Sequence, residues 1–72
     1  MREYTVIFEQ GNDGGWGAYA PDLPGLGVAA ETREEVTRLI SEGVAIHLAG
    51  LIEDGLPIPE RRSHAAIVSV SA

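Results

Sequence analysis

Residues 32–55, TREEVTRLISEGVAIHLAGLIEDG, contain both a start and a stop for one long helix, and the rest of the chain is read outward from them. Thr32 followed by Glu35 is a capping box, in which the hydroxyl and the carboxylate each satisfy a backbone donor at the helix start. Gly55 suits the left-handed residue just past a helix, and Pro57 blocks continuation. Leu56 falls where a Schellman motif packs it back on Leu51. At about 100° per residue, Ile46, Leu39, Gly43, Val36, His47, Ile40, Leu51, Val44 and Leu48 share one arc of roughly 200°. Glu34, Arg38, Ser41, Glu42, Ala45 and Ala49 fill the opposite side. A stripe facing one core needs little more than about 100°. The surplus has two readings: a wide core face, or a helix that serves its own sheet and a second surface.

Upstream, residues 3–10 alternate Tyr4, Val6 and Phe8 against Thr5, Ile7 and Glu9, the period-two pattern of a strand. Gly11-Asn12-Asp13-Gly14-Gly15 is a turn, and residues 16–20 form a second strand with Trp16, Ala18 and Ala20 on one side and Tyr19 on the other. The glycine-rich tip leads into no helix and so does not fit a phosphate-binding loop. Pro21-Asp22-Leu23-Pro24-Gly25 makes a stiff corner, because each proline fixes its own φ and restricts the residue before it. Residues 26–30 read as a short third strand. Beyond the helix, Pro57-Ile58-Pro59 lacks two amide donors and suits a surface crossing. Residues 65–70, apolar almost throughout, read as a fourth strand inside the sheet.

The expected architecture is α+β, in the order β-β-β-α-β. A right-handed crossover through the helix sets strand four beside strand one, giving a four-stranded sheet of order 3-2-1-4 with the helix on one face. The helix spans about 33 Å and a strand about 17–20 Å, so the part from Leu48 to Ile52, Leu51 included, should overhang the sheet unless the return through Pro57 and Pro59 covers it. A bare sheet face and overhanging apolar residues predict a partner.

The 72 residues make one domain near the lower size limit for a self-sufficient core, and such domains often gain burial by oligomerising. There is no cysteine, and His47 and His64 do not make a zinc motif, so neither disulfide nor metal site is expected. No signal peptide and no membrane span is legible, which makes the cytoplasm the default location. Eleven acidic and five basic residues leave a formal charge of −6. That balance disfavours a phosphate backbone as ligand and favours a basic protein, whose encounter it would accelerate. Acidity serving solubility alone is the plainer reading.

An active nuclease of the two-metal type needs converging acids. Glu9, Asp13, Asp22 and Glu35 are the candidates, but nothing in their placement suggests convergence. No catalytic residue is therefore assigned, and no cofactor. His47, within the apolar arc, reads as a core or interface residue bonded to a backbone carbonyl in preference to a base or pH switch. Tyr19 is the aromatic candidate for anchoring a partner, or else a cross-strand contact. Asp22 and Leu23, on the proline-stiffened corner, are further partner-binding candidates, with a plain corner turn as the alternative.

The Tyr4-x-Val6-x-Phe8 strand, Gly15-Trp16, Pro21-Asp22-Leu23-Pro24-Gly25, Thr32-x-x-Glu35 and Glu53-Asp54-Gly55-Leu56-Pro57-Ile58-Pro59 resemble the HicB family of antitoxins. The resemblance covers nearly the whole chain, as a single HicB-like domain over residues 1–72. It implies a partially degraded ribonuclease-H-like fold. It also implies that the chain binds and neutralises a small basic toxin, HicA, an mRNA-cleaving ribonuclease, by covering its active site. Many members carry a C-terminal DNA-binding segment. This sequence stops at Ala72 after the expected fourth strand, so direct DNA binding is not expected. The expected assembly is a homo-dimer or higher homo-oligomer. An orphan oligomer without a toxin and a remnant nuclease are the alternative functions.

Overall fold

Three antiparallel strands and one helix form the fold, in the order β1 (Ile7–Gln10), β2 (Trp16–Tyr19), β3 (Gly27–Ala30) and α1 (Arg33–Glu53). The computed structural model describes residues 2–71, so Met1 and Ala72 of the expected 1–72 domain lie outside the described residues. The sheet order is β1-β2-β3. Ile7 pairs with Tyr19 and Gln10 with Trp16 across the first hairpin, while Trp16 pairs with Ala30 and Tyr19 with Gly27 across the second pair.

Local chemistry sets each connection. At the hairpin tip, the Gly11 amide donates to the Gly15 carbonyl at 2.8 Å and Asp13 Oδ1 accepts from the Gly15 amide at 2.9 Å. Gly14 takes φ +87°, a conformation that costs an L-residue about 1–2 kcal/mol. The proline corner is two successive β-turns: the Leu23 amide donates to the Ala20 carbonyl, and the Leu26 amide to that of Leu23. Pro21 and Pro24 occupy the second position of each turn, and Gly25 at φ +86° supplies the positive φ of a type II turn.

The helix begins and ends where its caps dictate. Thr32 is extended, and its Oγ1 accepts from the Glu35 amide at 3.1 Å. Among the described residues only this threonine half of the capping box forms. At the far end the Leu56 amide donates to the Leu51 carbonyl at 2.9 Å and the Gly55 amide to that of Ile52 at 3.1 Å, with Gly55 at φ +69°. Those two bonds are the Schellman pattern.

The helix packs over β2 and β3. Val36 and Ile40 are buried against Ala18, with Val6, Phe8, Trp16, Leu26, Val28 and Ala30 packed around them. At Gly43 the approach is close: a Cβ there would lie 3.0 Å from Leu26 Cδ1. Of the wide apolar arc, the centre is buried or half-buried, but Ile46 at its edge is 71% exposed. The 21 helical residues span about 32 Å against roughly 13 Å for a four-residue strand, so the C-terminal part of α1 runs past the sheet.

Two expectations need correction. The strands are shorter than the sequence pattern implies, β1 most of all. With Ile7 opposite Tyr19, residues 3–6 run beyond the end of β2, where the chain turns away at Pro21. The sheet also has three strands, not four in the order 3-2-1-4, among the described residues. Residues 65–70 pair with no strand; Ile67 is 99% exposed and Val68 and Val70 nearly as open. Strand propensity is a tendency to fit a half-buried pleated surface, and within this one copy the segment lies against none.

Candidate protein-binding surface

The strand register sorts the sheet into a covered and an open face. Phe8, Ala18 and Val28 lie opposite one another on the helix side, as do Gln10, Trp16 and Ala30. Alternation sends Ile7, Tyr19 and Gly27 to the other face, with Glu9, Gly17 and Ala29. Tyr19 is 41% exposed there, between Ile7 and a glycine that leaves its ring unscreened on one side.

The hairpin end of the sheet meets the start of α1 in an open depression of about 760 Å³, rimmed by Glu9, Asp13, Glu31 and Glu35 beside Trp16. Glu34 and Glu35 stand in the first helical turn, where the macrodipole favours negative charge. The Arg33 guanidinium lies over Phe8 at 4.7 Å and over Trp16 at 5.3 Å from the ring centroids. It therefore shields the two rings while leaving the surrounding carboxylates to face solvent. A concentration of acids on a chain of charge −6 attracts cationic partners and speeds their encounter.

The proline corner has a different task. Asp22 Oδ2 accepts from the amides of Arg62 at 3.0 Å and Ser63 at 2.9 Å, and Oδ1 accepts from Ser63 Oγ at 2.9 Å. The Ser63 amide above all, against some desolvation, holds the Asp22 carboxyl below the usual carboxylate range; the Arg62 amide, the Ser63 hydroxyl and nearby His64 add to this. Tyr4 Oη donates to the Pro59 carbonyl and Thr5 Oγ1 to that of Ser63. Together these bonds tie the segment after the helix to the chain entering β1.

The partner-binding candidates thus separate. Tyr19 is on a surface. Asp22 is half-buried and engaged within the chain, and Leu23 is 0% exposed, which makes it a core residue and corrects its placement as a surface anchor. The corner turns Leu23 inward because the Leu23 amide and carbonyl each close one of its two β-turns. On the helix, His47, Leu48 and Leu51 are half-buried and Ile52 is 63% exposed. The His47 side chain makes no hydrogen bond among the described residues, so the expected carbonyl partner is missing. Pro57 is exposed and Pro59 half-buried, its carbonyl taken by Tyr4.

Two features escape sequence reasoning. The Arg33 clamp joins residues from strand one, strand two and the helix, and no spacing announces it. The Asp22–Ser63 anchor is signalled only by an acid in a proline corner. Of the four acids weighed for a nuclease, Glu9, Asp13 and Glu35 do share one depression, contrary to the expectation that they stay apart. No three acids or histidines among the described residues stand close enough to hold a metal ion. No described helix is long and apolar enough to cross a membrane.

The chain is 35% identical over 57 residues to UPF0150 protein ssr1765 of Synechocystis sp., an alignment covering 79% of this chain and 72% of that protein. No solved structure matches it. A family model described as the HicB-like antitoxin of bacterial toxin–antitoxin systems matches residues 4–71, from the first residues entering β1 through the acidic depression, the corner and the extended end of the chain. Matched over nearly all of its length, the chain belongs to the HicB-like antitoxin family.

Proposed function

We propose that this chain neutralises a small basic toxin of the HicA type, an mRNA-cleaving ribonuclease, by covering the surface with which the toxin meets RNA. A toxin–antitoxin family implies a toxin partner of some kind. The observation that carries the finer reading is the acidic rim of Glu9, Asp13, Glu31 and Glu35, which offers a basic RNA-binding surface a substitute for phosphate. Tyr19, on the adjoining open face, supplies an aromatic anchor of the kind enriched in binding hot spots. The chain acts by binding, with no reaction of its own and no cofactor, in the cytoplasm where mRNA is found, and as a homo-dimer or larger homo-oligomer. Its β-β-β-α order supports reading the fold as a partially degraded ribonuclease-H-like domain.

The test is co-expression with a small basic toxin of the HicA type, followed by an RNA-cleavage assay on the separated and recombined proteins. Recombination is expected to abolish cleavage, and Glu9→Lys with Asp13→Lys to slow association at least tenfold at low salt. Undiminished cleavage in the presence of excess wild-type chain overturns the reading. Cleavage of RNA by this chain alone, with Mg²⁺ or Mn²⁺, would instead establish the nuclease alternative.

A further inference from the structure

The described end of the chain has the sequence of a strand and pairs with no sheet. Residues 65–70 carry Ile67, Val68 and Val70 into solvent at 99%, 78% and 79% exposure. These β-branched residues fit pleated surfaces best and are the reverse of what a solvated tail contains. The segment does not begin free. Asp22 holds the amides of Arg62 and Ser63, and Thr5 holds the Ser63 carbonyl, so its root is fixed beside the chain entering β1.

Whole-molecule dimensions show how much surface this leaves open. A compact chain of 72 residues has a radius of gyration of about 11 Å, whereas this one measures 14.0 Å with extents of 48 × 28 × 20 Å. A folded monomer of 7.6 kDa exposes roughly 4,300 Å², and this chain exposes 5549 Å². The surplus of roughly 1,200 Å² exceeds the ~800 Å² that each partner contributes to a standard protein–protein interface.

The same molecule offers the complementary edge. β1 is an outer strand of the sheet among the described residues, and it carries Ile7 and Phe8, both half-buried, with Val6 just before it. Its outer edge presents unpaired backbone groups, the kind of template that another strand adds to. The other outer strand, β3, is Gly-Val-Ala-Ala and offers far less apolar side chain to pair with. Six extended residues reach about 20 Å, enough to run the length of a four-residue strand.

We infer that residues 65–70 are donated to the outer edge of β1 in a second copy of this chain, each copy giving and receiving one strand. Exchange around a two-fold axis closes the β1 edge of both copies at once, as an isologous contact does. It supplies between two molecules the fourth strand that one molecule lacks. This inference rests on the homo-oligomer part of the proposed function and is independent of the toxin.

The experiment uses the full chain at tens of micromolar, with mass measured by light scattering. Twice the chain mass is expected, falling to the chain mass in Ile67→Asp/Val68→Asp with the helical circular dichroism signal of α1 retained. The absence of cysteine allows a second readout. Ile7→Cys in one copy is mixed with single cysteines at positions 67 to 70 in a copy of different tag size. Oxidised adducts between the two sizes are expected at alternate arm positions, the signature of a paired strand. A wild-type monomer overturns both the oligomer and the exchange. A dimer untouched by the aspartates leaves the oligomer standing and overturns the exchange. Cross-links confined within one chain, or formed only after a basic toxin is added, also overturn it.

Discussion

Asp22 and Ser63, 41 residues apart in the chain, are joined by two hydrogen bonds of 2.9 Å, one to the serine amide and one to its hydroxyl. That pairing pins the start of the exposed arm to the proline corner and directs where the arm leaves. Asp22→Ala is expected to raise hydrogen exchange at the Arg62 and Ser63 amides at least tenfold, with the amides of α1 unchanged.

The same bond predicts a pH dependence. The Asp22 carboxyl titrates lower in the folded chain than its ordinary 3.8, so its contribution is full above that value and is lost as pH falls through the folded value. Exchange at the Arg62 and Ser63 amides, corrected for its intrinsic pH dependence, should stay protected at neutral pH and rise below about pH 4. In Asp22→Ala this acid-dependent step should vanish.

Leu23, Val36 and Ile40 are the largest fully buried side chains among the described residues. Leu23→Ala should therefore destabilise the fold by about 2–5 kcal/mol in chemical denaturation, a large share of what so small a domain possesses. An equal effect on toxin binding at temperatures where the variant remains folded would be inconsistent with its burial.

Gly43 faces Leu26 Cδ1 across the helix–sheet contact. Alanine there gains up to about 1 kcal/mol of helix propensity and asks only the tip of a leucine to move, so Gly43→Ala should leave the melting temperature within a few degrees of the parent. Gly43→Val adds branches that the contact cannot absorb and should cost about 1–3 kcal/mol.

At the helix start the two halves of the capping box should differ. Thr32→Ala removes a bond to the Glu35 amide and should cost about 1 kcal/mol. Glu35→Ala removes only a charge near the helix N-terminus, worth about 0.3–1 kcal/mol and diminished by salt. Denaturation of both variants at low and high ionic strength separates the two.

Much of the fold is legible in short-range chemistry. Thr32, Gly55 and Leu56 end their helix through bonds spanning at most five residues, and Gly14 and Gly25 stand where turns require positive φ. The acid rim is another matter: Glu9, Asp13, Glu31 and Glu35 come together only because β1, the hairpin and the start of α1 meet at one end of the sheet.

By itself, the order of amino acids determined the helix and its limits, the hairpin, the alternation that puts Tyr19 and Trp16 on different faces of β2, and the negative charge. Each depends on neighbours a few residues away or on composition. Tertiary structure decided that Leu23 goes inward, that Asp22 grips Ser63, and that residues 65–70 stay unpaired within one copy. Those outcomes depend on which distant surfaces meet. An apolar, β-branched segment encodes a readiness to pair, but the edge that receives it is a property of the assembled sheet.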